Sequence, residues 1–329
     1  FYIFLYIFIY FYIYLLIFYL NIFKYYIIVM SHNNNTQLRS QINELIVKDD
    51  IAYPTISIFV CNTLFLCSVY ASKDYIPYIV YLLFASISLY INFTPFHEAS
   101  HKLIATKKYA YLNDVIGHIS STIYGTSYIG WKYIHNLHHV HTNHDNDPDN
   151  FYDNIYQVLL MGPFLDVIYF YNYFKNIHTR PITEIVQSIC SYGLIFSFYY
   201  YLFQNNHGST LFYYYFIPLR FALLHASLVL DYNAHHECTT KKENNIKSTN
   251  KVSGFFVKED SPLLLSLFMQ NQNYHNIHHL FPYVRFYQYQ DIWNNKTIRK
   301  ELLTKGTSEI NIIPKMVTDS KKIIQSYNI

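Results

Sequence analysis

The stretch Trp131-Lys-Tyr-Ile-His-Asn-Leu-His-His-Val-His-Thr-Asn-His-Asp-Asn-Asp-Pro-Asp149 carries a pattern that returns near the far end of the chain, in Asn273-Tyr-His-Asn-Ile-His-His279. On a helix, positions i, i+3 and i+4 share one face. His135, His138 and His139 can therefore converge on one point, and so can His275, His278 and His279. A lone helical histidine is ordinarily a satisfied or surface residue. Two triplets of the same spacing serve packing and solubility poorly and serve metal binding well, because neutral imidazole is the commonest metal ligand. Each triplet reads as half of a metal site.

Upstream lies Phe93-Thr-Pro-Phe-His-Glu-Ala-Ser-His101, in which His97 and His101 are i, i+4 neighbours. They fit H-E-x-x-H, the zinc-protease signature in which the glutamate activates water. That rival needs one further ligand and leaves both triplets unexplained. In an oxidative reading Glu98 instead orients a ligand through its free ring N–H. Downstream, Leu230-Asp-Tyr-Asn-Ala-His-His236 sets Asp231 and His235 four apart on one face, with His236 making that ligand ambiguous. His97, His101, His135, His138, His139, His235, His275, His278 and His279 make nine imidazoles. That is too many for one ion and suits two, at roughly four to six ligands each. Zinc prefers four ligands, whereas higher imidazole coordination suits iron, so two irons are expected.

The surroundings are membranous. Hydrophobic residues make up 52% of the 329 and charged residues 14%, and the apolar ones fall in blocks. Pro54 to Ala71, Tyr75 to Phe96, Ile185 to Phe203 and Leu211 to Leu230 are long enough to cross a bilayer. The short turns at 72–74 and 204–209 pair them into two hairpins, which leaves the polar regions 31–52, 97–180 and 231–329 on one side. Lys102, Lys107, Lys108, Lys132, Lys175 and Arg180 lie on that side, against Lys73 in the opposite turns. The positive-inside rule makes it cytoplasmic. Ala110 to Tyr128 and Ile155 to Phe174 are expected to lie in the interface. Arg220 and His225 fall within a crossing, where an ionisable residue is a functional candidate; pairing toward the interface is the plainer expectation.

The net charge of +3 forms no basic stripe, which argues against a nucleic-acid partner. Cys61, Cys67, Cys190 and Cys238 form neither a disulfide framework nor a thiolate zinc site. Residues 1–29 are almost wholly Phe, Tyr, Ile and Leu and precede the first methionine, Met30. The expectation is a gene-model artefact, with an extra membrane helix as the rival. Residues 30–293 then form the main domain and 294–329 a polar tail.

The ordered set of HEASH, HNLHHVHTN with Asp147-Pro148-Asp149, the Asp231–His235 step and NYHNIHHLFP resembles the membrane fatty-acid desaturase and hydroxylase superfamily. Within it, the chain is similar to the branch of acyl-lipid desaturases and desaturase-like beta-carotene hydroxylases. The resemblance spans roughly residues 90 to 290. It implies an all-α integral membrane protein, with four transmembrane helices under a cytoplasmic helical cap that holds a diiron site on the nine histidines. Asp231 is implied near the metal through water, and Asp147 and Asp149 of the second box are placed with Glu98 in support of the ligands. Ala234 departs from the proline common in relatives. The implied activity is O2-dependent attack on a lipid chain, foremost fatty-acyl desaturation, with lipid or carotenoid hydroxylation as the alternative. The implied partners are a lipid substrate and an external electron donor, a cytochrome b type protein or ferredoxin, with its reductase. The endoplasmic reticulum is the expected membrane if the source is eukaryotic.

Overall fold

A computed structural model describes residues 36–143, 146–149, 152, 154–235, 254–255, 268–304 and 310–311. The leader at 1–29, His236 and Cys238 lie outside the described residues. Four helices are long and apolar enough to cross a membrane: α2 (Tyr53–Ala71), Tyr78–Ser100, α9 (Ile182–Gln204) and α10 (Gly208–His235). Three extend beyond the span expected from hydropathy, whereas the second begins three residues later than expected and runs four residues further. The second comprises α3 (Tyr78–Ile91) and α4 (Phe93–Ser100), and it carries the chain from apolar sequence into HEASH without a break in direction. Pro54 opens α2, where a missing N–H costs nothing.

Buried polar side chains tie these helices together. Asn62 of α2 donates to the Ser88 carbonyl of α3 at 2.9 Å and accepts from the Ser88 hydroxyl at 2.8 Å. Tyr81 of α3 donates to the Tyr214 carbonyl of α10 at 2.6 Å. The outward faces keep Leu64, Leu83, Leu194 and Phe198 exposed, as suits contact with lipid. Two π-helical stretches, Phe212–Phe216 and Ser227–Tyr232, interrupt α10, and the second ends beside His235. Such stretches often mark functional positions.

Neither additional apolar stretch forms a crossing. The first divides into α5 (Tyr111–Ile123) and α6 (Tyr128–His141), separated at Gly125, whose φ of +76° favours glycine. The second divides into α7 (Ile155–Met161) and α8 (Leu165–Lys175) around Gly162-Pro163. Arg220 of α10 is held by Asp166 of α8 through two hydrogen bonds of 2.9 and 2.6 Å. Arg220 thus joins α10 to α8 and lies outside both histidine groups described below.

The remaining described helices pack into the same core as the long helices: α1 (Thr36–Leu45), α11 (His275–Leu280), α12 (Tyr289–Asn294) and α13 (Lys296–Thr304). Ile298 and Leu302 of α13 are fully buried in the main core with Leu38 and Ile42 of α1, so the packed body continues past residue 293. The only sheet among the described residues is a parallel pairing of β1 (Gly254–Phe255) with β2 (Ile310–Asn311).

Candidate metal centre

Three helical fragments and the end of α10 aim imidazoles at one place. α4 supplies His97, with His101 at its C-cap. α6, capped by Ser127 accepting from Gly130 N, supplies His135, His138 and His139. Before α11, Gln270 and Asn271 adopt φ values of +52° and +56° and bend the chain so that His275, His278 and His279 face the others.

The ring nitrogens form two groups whose ligand atoms all lie within 4.8 Å of one another: His97, His101, His135 and His278, and His138, His235, His275 and His279. His139 joins the first group, its Nε2 lying 3.1 Å from that of His135 and 2.9 Å from that of His278. Further Nε2 separations are 3.2 Å for His97–His278, 2.8 Å for His101–His135, and 3.2 Å for both His138–His279 and His279–His275. Ligands at ~2.1 Å from an ion, at right angles to each other, stand ~3.0 Å apart. The donor set therefore fits two cations.

Burial makes the rings suitable. It holds His101 down to about 4 and His275 down to about 3, and it pulls His139, His278 and His279 well below the ordinary histidine value. At neutral pH these rings are uncharged, which is the form that binds metal.

The outer ring nitrogens determine which tautomer faces inward. Nδ1 of His138 donates to Asp147 at 2.9 Å, and Asp147 also accepts from the backbone of Asn143 and Asp149. Nδ1 of His235 donates to Asn143 Oδ1 at 3.1 Å, and Nδ1 of His278 donates to the Tyr289 hydroxyl at 3.0 Å. Each bond leaves an Nε2 lone pair for a metal. Trp131 stacks on His135 with ring centroids 4.5 Å apart.

Glu98 is placed differently from the sequence expectation. Its Oε1 is 3.9 Å from Nδ1 of His97, beyond hydrogen-bond reach, and its Oε2 accepts from Phe286 N at 3.3 Å. The position directly after His97 turns the carboxylate behind the ring, toward the chain following α11. Close by, buried Arg285 donates to the carbonyls of Leu103 and Asp49, which ties that chain to the first box. The Asp149 side chain is buried. Burial and the neighbouring Asp231 and Asp147 charges push its carboxyl up. Asp149 Oδ1 and Asp231 Oδ2 are buried without partners, and both residues line a cavity of about 20 Å³ beside His135, His138 and His275. That volume accommodates about one small molecule such as water.

His225 lies away from both groups, packed edge-on against Tyr90 and Phe268. Tyr289, Asn143, Thr142 and Arg285 were not singled out by sequence reasoning. Asn143 is the last residue of HNLHHVHTN and takes φ +64°, a conformation asparagine tolerates. Tyr289 lies 11 residues beyond His278 and carries no spacing signal.

Among curated proteins, no relative matches the sequence. The model of one family, fatty acid desaturase, matches residues 73–308, from the turn after α2 through all nine histidines. With most of its length inside that match and four described helices long and apolar enough to cross a membrane, the chain belongs to the fatty acid desaturase family, a family of membrane lipid oxidoreductases.

Proposed function

We propose that this chain is an O2-dependent diiron desaturase that introduces a double bond into a fatty-acyl chain. The observation that carries the reading is the convergence of nine imidazoles, drawn from helices far apart in sequence, as a group of five and a group of four. His97, His101, His135, His139 and His278 would hold one iron, and His138, His235, His275 and His279 the other. When bound, the irons supply O2 activation strong enough to break an unactivated C–H bond. The balance is a CH2–CH2 unit oxidised to CH=CH while O2 is reduced to water, with the remaining electrons drawn from an external protein donor.

The chain's own residues set the conditions. Asp147, Asn143 and Tyr289 fix the orientation of His138, His235 and His278. Phe93, Trp131, Leu165, Ala226 and Leu230 wall the small cavity and exclude bulk water. Asp231 and Asp149 present unpaired oxygens there and can hold a water or a proton at Oδ2 and Oδ1. Hydroxylation requires the same machinery and differs in how the chain is held after the first hydrogen is lost.

Hairpin parity and the lysines near the histidine-bearing end support a cytoplasmic site, reached by a cytochrome b type protein or ferredoxin and its reductase. In a eukaryotic cell the endoplasmic reticulum fits that arrangement. Residues 30–293 would suffice for the metal ligands, with α13 completing the fold. A zinc-protease reading finds less support, because Glu98 is engaged by Phe286 N and lies behind the His97 ring.

Lipid profiling of a host expressing the chain with a matched reductant, beside a His138→Ala control, tests the proposal. New unsaturated acyl chains that require the intact protein are expected. Identical profiles under confirmed expression and electron supply would refute it.

A further inference from the structure

Between α3 and α10 runs an apolar groove of about 540 Å³, lined along α3 from Ile79 to Tyr90. That stretch rises ~16 Å along the helix. Its outer part is open, with Leu83 and Phe221 exposed, and the α3 and α10 walls belong to candidate membrane spans. The surrounding medium is therefore hydrocarbon, and a groove of this composition takes a hydrocarbon chain.

The inner end is closed by three rings. Tyr90 meets His225 edge-on at 4.3 Å between centroids, and His225 meets Phe268 at 4.9 Å. Directly behind them is the small cavity at the histidine groups. Tyr90 lines the groove and Phe93, one turn further along the same helix, lines the cavity; His225 lines the groove and its neighbour Ala226 lines the cavity. The linings of the two spaces thus meet at neighbouring residues of the same two helices. The rings at that junction are weakly fixed. The buried Nε2 of His225 has no hydrogen-bond partner, and the Tyr90 hydroxyl reaches the Met269 carbonyl only at 3.4 Å. Ring contacts alone hold His225, and such contacts permit rotamer exchange far more readily than a bonded network does.

Resting on the lipid-oxidoreductase reading of the site, we infer that the α3–α10 groove is a lateral port through which an acyl chain of a membrane lipid approaches the metal chamber, whose space of about 20 Å³ widens to admit the chain when the gate opens. Tyr90, His225 and Phe268 are its gate. The occupant is an acyl chain still attached to a bilayer lipid, because the port opens within the apolar spans.

The test needs no turnover. The full chain is placed in nanodiscs containing phosphatidylcholine with a diazirine in one acyl chain, and photolabelling is read at peptides containing Phe93 and Leu230, inside the chamber. Leu83→Trp and Ile87→Trp fill the groove, while Leu64→Trp places the same bulk on the exposed face of α2. Iron content confirms folding of each. The expected result is inner labelling in the wild type, a fall of about tenfold in the two groove variants and no fall in Leu64→Trp. His225→Ala should raise inner labelling. Unlabelled inner peptides in the wild type, or wild-type labelling in both groove variants, would overturn the port. Inner labelling that follows this pattern in a protein that never alters a lipid would support the port and count against the desaturase reading.

Discussion

The two histidine groups are built by different means. The first is set mainly among rings: Trp131 stacks on His135, Phe93 stacks on His97, and a single neutral hydroxyl, from Tyr289, meets Nδ1 of His278. The second is held by polar and charged partners, with Asp147 on His138 and Asn143 on His235. Asp231 and Asp149, each with an unpaired buried oxygen, line a cavity shared by both groups, through His97 and His135 of the first and His138 and His275 of the second. A carboxylate behind an imidazole raises its basicity, whereas an apolar shell controls solvent access and dielectric. The comparison teaches that the two metals would not be equivalent: the first would sit on ligands set among rings, and the second on ligands backed by polar and charged partners.

That asymmetry can be broken at several points. Removing a ligand has the largest expected effect. His138→Ala should lower product formation by about a hundredfold or more and release iron from the second group first, as read by product analysis and metal content. Equal loss from both groups would erase the distinction. Asp147→Asn is next. It preserves shape and removes the charge, so iron affinity of the second group should fall about 10- to 100-fold while the first keeps its metal, as measured by chelator competition. Tyr289→Phe removes one neutral hydrogen bond and should weaken only the first group, by about 1 kcal/mol, seen as a several-fold shift in the same competition.

A pH effect sharpens the comparison from another side. Burial holds His101 at about 4 and His275 at about 3, one in each group, whereas the unfolded chain protonates these rings near the ordinary histidine value of 6.5. Below that value the unfolded state binds more protons than the folded state. Stability of the metal-free protein should therefore be full above about pH 6.5 and fall as the pH drops toward 4 and then 3. Thermal unfolding in detergent across that range checks it; a midpoint that does not move would show that these rings are not buried as a neutral cluster.

Spacing made the histidines legible in the sequence, because i, i+3, i+4 periodicity on a helix is a local property. The four crossings were legible for a similar reason, since apolar length is read directly. What escaped was contact between distant segments. No local pattern announces that Tyr289 reaches His278, that Arg285 ties residue 49 to residue 103, or that Asp166 and Arg220 form one ion pair. Glu98 shows the opposite case, in which a strong local motif pointed to a ring partner and the i+1 position turned the carboxylate to a backbone N–H instead. The polar look of residues 294–329 likewise hid an amphipathic helix, α13, which buries Ile298 and Leu302.

The most direct test of the account is iron per chain in the purified protein, with Mössbauer spectra to establish whether the ions are coupled. The account predicts about two coupled irons per chain, with iron content lowered and the coupling lost when either His135 or His279 is replaced by alanine. A single zinc, or iron retained undiminished in both variants, would contradict it.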